Sequence, residues 1–414
     1  MTALSIVPTR PTDTSSPAVS PVPASAPIPR LWGRYLNLDD FEAAARRRLP
    51  HAIYGYASGG AADGGAIRSN RDVFGRWHFV TRILRDVASR TPARTLFGHR
   101  YDVPFGIAPM GASAVAAFDA DLRMARAARA ANLPFVLSAN SITPMEAVTA
   151  VNPDIWFAAY LPPDPAHIEG MLARVAAAGV RVLVVTADVP AGSNREAERR
   201  NGYTMPIRLT PRLIADGITH PHWLLGTAAR TVARQGVPVI SNIQPRGGPG
   251  LFSRQVSFIG GDGAFTWDHV RQIRRSWQGT LVLKGILSPA DARLARQHGV
   301  DGIVVSNHGG RQLDGAASPM DVLGAIRDES GDMAVLVDSG FRRGGDILKA
   351  LALGADFVLI GRPFLYAAAL AGEPGLRHAA ALLRREIDLD MAQLGLASLE
   401  EIGPDCLLER ATMQ

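Results

Sequence analysis

Cysteine is almost missing from this chain. Cys406 is the single one among 414 residues, so no intrachain disulfide can form and neither a cysteine-rich metal site nor an iron–sulfur site can be built. That count fits a reducing compartment, and a cytoplasmic location is expected. No apolar run approaches the roughly 20 residues that span a bilayer, so the chain is expected to be soluble or at most peripheral to a membrane. Excess charge is missing too, except in one place: residues 195–260 carry nine arginines against three acids, a surplus of six that equals the formal net charge of +6. The remainder is close to neutral, which leaves no general polyanion-binding signature and no nucleic-acid partner. Residues 1–30 hold seven prolines and almost no large apolar side chains. Such a stretch cannot offset its ordering entropy and reads as a disordered Pro/Ser-rich tail. Pro8 and Pro11 interrupt its only apolar run, which argues against a secretory signal.

What is present is an ordinary globular composition, 47% hydrophobic and 20% charged, over a length that suits two compact domains or one large α/β barrel. Asn37 and the residues up to Leu49 look like a capped helix that Pro50 stops or restarts, and residues 31–100 are expected to form an N-terminal helical segment packed on the remainder of the chain. Beyond residue 100, short β-branched runs begin at Val103, Pro134, Ile155, Val182, Leu281, Gly302, Val335 and Phe357, separated by Ala-, Leu- and Arg-rich segments with helical spacing. Eight apolar strands alternating with helices predict an α/β fold, a closed (β/α)8 TIM barrel over residues 101–408. Most strand starts lie 21 to 33 residues apart, but the fourth and fifth are 99 apart. A long insertion after strand 4, residues 195–260, therefore sits on the face where barrels build active sites.

Polar side chains converge in such a barrel only at the C-terminal strand ends. The last two ends combine glycines with Arg342 and Arg362, a pairing suited to a phosphate. Lys284 ends an otherwise apolar strand and projects towards the barrel mouth. His308 stands beside two glycines with Asp188 on another strand end to orient it, an acid–base arrangement for neutral pH. Arg195 and Arg311 can clamp a carboxylate, and Tyr56 and Tyr160 can supply hydroxyl donors. The pair His220-Pro-His222 has no carboxylate or thiol beside it in this reading, so no metal is expected.

Three stretches, Ser306-Asn-His-Gly-Gly-Arg-Gln-Leu-Asp314, Asp338-Ser-Gly-Phe-Arg-Arg-Gly344 and Leu348-Lys-Ala-Leu-Ala-Leu-Gly-Ala-Asp356, closely resemble the FMN-dependent 2-hydroxy acid dehydrogenases and oxidases. That family includes glycolate oxidase, lactate dehydrogenase and mandelate dehydrogenase. The similarity runs from about Leu38 to Leu408 and is weakest from Tyr203 to Phe258. It implies His308 as the base, Asp188 as its supporting carboxylate, Arg311 and Arg195 as the carboxylate pair, and Tyr56 and Tyr160 as substrate tyrosines. Around the FMN ring it implies Pro109, Met110, Gly111, Ser138, Thr186, Lys284 and Ser306, with Lys284 stabilising negative charge that develops there. For the ribityl chain and phosphate it implies Asp338, Ser339, Gly340, Phe341 and Arg342, with Gly361 and Arg362. Three departures stand out: Ala158 replaces a common glutamine, Met110 a common threonine, and the usual Arg-Phe-Pro-Pro after Asn201 is missing.

The function the resemblance implies is oxidation of an (S)-2-hydroxy acid, mandelate- or lactate-like, to a 2-oxo acid. Electrons pass to an acceptor other than NAD, whether quinone, cytochrome or oxygen, and His308 removes either the α-proton or the hydroxyl proton. Gly111 stands where mandelate dehydrogenase has Gly and the oxidases commonly have Ala, which favours a dehydrogenase. The alternative is an oxidase that forms hydrogen peroxide, and a more distant one is a non-redox barrel enzyme acting on a phosphorylated metabolite. The family also implies a homo-oligomer, a tetramer. Two readings stand for residues 195–260. One is a lid over the substrate. The other is a basic apolar surface, with Trp223-Leu-Leu225, Val237-Pro-Val-Ile240 and Leu251-Phe252, lying on the inner face of an anionic membrane.

Overall fold

The computed structural model describes residues 33, 35–204, 206–246, 248–253 and 263–410. The expected tail at 1–30 and the end of the insertion at 254–260 lie outside them. Eight parallel strands form the centre: β1 Phe105–Ile107, β2 Val136–Ser138, β3 Trp156–Ala159, β4 Val182–Thr186, β5 Thr280–Ile286, β6 Gly302–Val305, β7 Ala334–Val337 and β8 Phe357–Ile360. From β2 to β8 each strand pairs with its neighbour in sequence, and β8 pairs with β1 through Val358 and Phe105. A bridge between Ile107 and Phe135, with the Ile107 N–H donating to the Pro134 carbonyl at 2.9 Å, joins β1 to the start of β2 and closes the ring. The expected (β/α)8 barrel is the fold.

The strands are Val-, Leu- and Ile-rich because both of their faces are covered. Inside, Val136, Trp156, Val182, Val282, Val304, Leu336 and Phe357 belong to one buried cluster. The hairpin Arg94–Leu96/His99–Tyr101 turns through Phe97 and Gly98, both at positive φ, and sets the Phe97 ring 5.5 Å from Trp156 at the N-terminal end of the barrel. The two rings cover the barrel interior at that end.

Residues 31–100 are helical only in their first part. Helix α1 (Leu38–Arg48) starts at Asn37, whose side chain accepts from the Asp39 and Asp40 amides while Asp40 reciprocates. Pro50 then starts α2 (His51–Ser58), which carries Tyr56 to the barrel mouth. After the helix Gly65–Asp72 the chain turns to short strands, of which Trp77–Phe79 pairs with Leu407–Glu409. Helical periodicity gives way there to the tight turn that Phe97-Gly98 specifies.

The insertion contains helices Glu196–Arg200 and Pro211–Ile218, and a helical run from Pro221 to Gln235 with a π turn at Leu224–Ala229. It is anchored at one end, where Asn242 Oδ1 accepts from the Met145 amide at 2.9 Å. The premise that His220 has no carboxylate beside it is corrected: Asp216 Oδ1 lies 3.4 Å from His220 Nδ1 and 3.0 Å from His51 Nδ1. One helical turn separates Asp216 from His220, and Pro221 does not disturb that spacing.

Candidate active site

The strand ends and the loops after them surround a cavity of about 740 Å³. Lys284, on β5, is 4% exposed. Its Nζ donates to Ser306 Oγ at 2.7 Å and faces Asp338 Oδ2 at 3.1 Å and Asp188 Oδ2 at 3.9 Å. Burial alone lowers a lysine pKa, but the Asp338 and Asp188 charges outweigh it and raise the value, so the ammonium stays charged.

His308 begins three consecutive residues in the left-handed region, with φ 56° at His308, 64° at Gly309 and 72° at Gly310. Glycine adopts this freely, whereas for histidine it costs on the order of 1 kcal/mol. The bend is held by the His308 amide donating to Ser306 Oγ at 3.0 Å and the Gly310 amide to the Asn307 carbonyl at 3.0 Å. It places His308 Nδ1 2.9 Å from Asp188 Oδ1. Burial lowers the His308 pKa, and the Lys284 and Arg195 charges add to this against the opposing pull of Asp188. Burial would raise Asp188, but His308 and Lys284 bring it below the usual carboxylate range. At neutral pH the pair is a carboxylate accepting from Nδ1–H, which leaves the Nε2 lone pair as the base.

Two arginines stand beside this base. Arg311 donates to the Tyr56 and Gly59 carbonyls at 2.8 and 2.9 Å and to Glu198 Oε1 at 2.7 Å. Arg195 donates to Ser193 Oγ at 2.8 Å and Gln312 Oε1 at 2.9 Å, and lies 3.6 Å from the same Glu198 oxygen. Burial and the neighbouring Arg311 lower the Arg195 pKa. Two cations against one anion leave a single positive charge, the complement of one carboxylate. Tyr56 donates its hydroxyl to the Gly111 carbonyl at 2.7 Å and lies under Arg311, 5.1 Å from ring centre to guanidinium. The Tyr160 ring is 6.4 Å from that of His308, and burial with the Asp188 charge pushes its pKa up to about 12, so it remains a neutral phenol.

The other half of the cavity is cationic without being catalytic in shape. The Gly309 amide donates to Ser339 Oγ at 3.1 Å, and Gly340 adopts φ 94° with its α-carbon so close to Asn70 that a Cβ would stand 2.0 Å from the Asn70 carbonyl oxygen. Arg342 Nη2 is held by Glu42 at 3.1 Å, and its buried Nε, in an ion pair with Asp39 Oδ1 at 3.4 Å, makes no hydrogen bond among the described residues. Arg362 donates to the Ala57, Gly309 and Gly59 carbonyls, and burial with the Arg311 charge pushes its pKa down to about 10. Buried guanidinium groups crowded together, one with an unused donor, suit a phosphate. This donor set, with Lys284 at the floor, fits FMN.

Pro109, Met110, Gly111, Thr186, Asp338, Phe341 and Gly361 also line the cavity. Asp188 and Ser306 stand behind His308 and Lys284 and act through them. Ser138 is not brought to the wall: its buried Oγ accepts from the Asn140 amide at 3.2 Å, and Asn140 lines the cavity instead. Ala158 is fully buried in the core cluster. Sequence reasoning missed Glu198, Gln312 and Tyr203. The signal for Glu198 was its place three residues after Arg195. Tyr203 stacks on Tyr56 at 4.5 Å, and its buried hydroxyl lacks a partner among the described residues.

The sequence pattern of the FMN-dependent dehydrogenases matches residues 45–409. An (S)-mandelate dehydrogenase from Pseudomonas putida is 38% identical over 381 residues, covering 90% of this chain and 93% of that one. An L-lactate dehydrogenase from Pseudomonas aeruginosa is 38% identical over 375 residues, covering 89% and 97%. Among solved structures, a monotopic membrane protein (S)-mandelate dehydrogenase superimposes with a TM-score of 0.82 at 37% identity, covering 91% of this chain and 99% of that one. A mandelate oxidase gives 0.75 at 33% identity, covering 91% and 99%. The chain belongs to the FMN-dependent dehydrogenase family.

Proposed function

We propose that the chain oxidises an (S)-2-hydroxy acid, mandelate- or lactate-like, to the 2-oxo acid and delivers the electrons to an acceptor other than NAD. The observation that carries the reading is one cavity holding both the Asp188-oriented His308 and the singly positive Arg311/Arg195/Glu198 group. The arginines bind the substrate carboxylate and so set the carbinol carbon beside His308. Nε2 of His308 takes either the α-proton or the hydroxyl proton of that carbinol, and Asp188 stabilises the imidazolium that forms. Tyr160 donates a hydrogen bond to the substrate, and Tyr56 packs beside Arg311. Bound FMN supplies the two-electron acceptor. Lys284 keeps a positive charge at the cavity floor, and Arg342 and Arg362 hold the phosphate. The test is an anaerobic screen of glycolate, lactate, mandelate and longer 2-hydroxy acids for loss of flavin absorbance. Bleaching by one of them and not by its 2-oxo product supports the reading, and no bleaching by any of them overturns it.

We also propose that the insertion rests on the inner face of an anionic membrane, with the electron acceptor there, while closing the cavity as a lid. Eight of the fifteen exposed large hydrophobic side chains among the described residues fall between Leu209 and Phe252. Ile214 and Ile218 share one face of the helix Pro211–Ile218, and Leu225 is 68% exposed. Among the described residues no helix is long and apolar enough to cross a membrane, and exposed apolar side chains in a segment rich in arginine suit peripheral attachment. Co-sedimentation with anionic vesicles at low salt supports this; full recovery in the supernatant contradicts it. The assembly implied by the family, a homotetramer, is read by light scattering.

A further inference from the structure

A second, smaller cavity of about 150 Å³, room for about five waters, lies where four elements meet. These are the end of α1, the helix Ala120–Ala130 with the residues before it, the insertion helix around His222–Arg230, and the kink of the helix Arg362–Leu394 at Gly372. The charged residues lining it are Arg48, Arg123 and Arg230, with His222 beside them, and no carboxylate is among the lining residues described. Arg230 and Arg123 lie over the same Phe118 ring, at 4.2 and 5.6 Å. Gly372, at φ 60°, leaves the room that Arg123 fills: a Cβ there would stand 2.4 Å from a guanidinium nitrogen. Two acids outside the lining, Asp119 and Glu373, also act on Arg123 and oppose the lowering of its pKa. Glu373 pairs with Arg126 at 3.3 Å and Arg377 at 2.7 Å, and Asp119 accepts from Gln235 at 2.5 Å. Burial and the adjacent Arg230 charge lower the Arg123 pKa. Arg48 and Arg230 are exposed and Arg123 half-buried, so water softens their repulsion; what points to a ligand is three guanidinium forks converging on one cavity with no carboxylate among its described lining residues, a match for phosphate oxygens.

We propose that Arg48, Arg123 and Arg230 form a binding site for a phosphate group outside the catalytic cavity. Its placement favours a lipid headgroup over a free phosphate. Arg230 belongs to the insertion read as the membrane contact, which is the ground for that choice, although Leu225 and Val232, 68% and 53% exposed, leave its helix on the side opposite Trp223, Thr227 and Arg230. That choice of source rests on the membrane-contact reading; the site itself does not.

The experiment compares the FMN-loaded wild type with Arg123→Gln/Arg230→Gln, with Arg48→Gln, and with Arg212→Gln/Arg234→Gln, a control that removes two exposed insertion arginines outside the cavity. Turnover with a soluble dye checks that each is folded. Binding is measured to phosphatidylglycerol/phosphatidylcholine vesicles at low salt, and the melting shift is measured with inorganic phosphate. For a lipid headgroup, the cavity double variant binds vesicles at least tenfold more weakly than the control double variant, and Arg48→Gln falls between the wild type and the double variant. Equal vesicle binding by both double variants, with a phosphate shift lost only in the cavity variant, assigns the site to free phosphate. A wild type that ignores vesicles but keeps an Arg123/Arg230-dependent phosphate shift overturns the membrane reading and leaves the site standing. Equal vesicle binding and equal phosphate shifts in the two double variants overturn the site.

Discussion

His308 Nδ1 lies 2.9 Å from Asp188 Oδ1, and the two side chains are only 16% and 11% exposed. A carboxylate can only accept, so it fixes the tautomer whose Nε2 is the base. Asp188→Asn removes the charge and permits the wrong tautomer. Its flavin reduction by substrate is expected to slow by about 10² to 10⁴ with FMN retained, measured by anaerobic stopped-flow absorbance. Reduction at the wild-type rate contradicts the role given to Asp188.

The pH profile carries a definite sign. Burial, with Lys284 and Arg195, holds the His308 pKa below its ordinary 6.5. The acid limb of kcat/KM should therefore fall below pH 6.5, with activity rising through it and level above. The same shift means the unfolded chain binds the His308 proton more readily than the folded one, so stability from this group rises with pH between the folded pKa and 6.5 and is lost as pH falls through that window. A His308-dependent limb above pH 6.5 contradicts the burial argument.

Glu198 makes the clamp asymmetric. Replacing Arg311 by Met leaves the Glu198 carboxylate, 8% exposed, with Arg195 at 3.6 Å as its remaining cation. Stability is expected to drop by about 3 kcal/mol and oxalate affinity to fall, while Arg311→Lys restores only part of either because the fork is lost. Arg311→Met/Glu198→Met should recover much of the stability and none of the oxalate binding. Thermal melts and inhibition constants decide; unchanged oxalate affinity in Arg311→Met contradicts the clamp.

The acceptor can be tested at Gly111. A Cβ there would stand 2.9 Å from Asn140 Cβ and 3.6 Å from the Tyr56 hydroxyl, so alanine would fit only if Asn140, which lines the cavity, shifted. A dehydrogenase is expected to form hydrogen peroxide in air far more slowly than it turns over with a dye. Equal rates contradict that reading.

The barrel was legible because each of its strands is an apolar run too short for a helix, and its polar residues fall at the strand ends where only function keeps them. His308, Lys284 and Asp188 were singled out that way, and the fold brings the three together. Glu198 was hidden because Arg195-Glu-Ala-Glu-Arg-Arg200 has the composition of an exposed helix, yet Glu198 is buried. A strand-end serine such as Ser138 can turn either to the cavity or to its own backbone, and its Oγ accepts from the Asn140 amide. The strands between Trp77 and Tyr101 were overlooked because three-residue strands carry no periodicity. The path of the insertion was beyond reach because it depends on contacts such as Trp223 Nε1 donating to the Val115 carbonyl at 2.9 Å, 108 residues away.

The most direct measurement is anaerobic reduction of the bound flavin in His308→Ala by (S)-mandelate and L-lactate, each at saturation, beside the wild type. The account predicts a yellow variant with FMN absorbance intact, whose reduction by the substrate that bleaches the wild type is slower by about 10² to 10⁴ or more. Near-normal reduction by His308→Ala would contradict it.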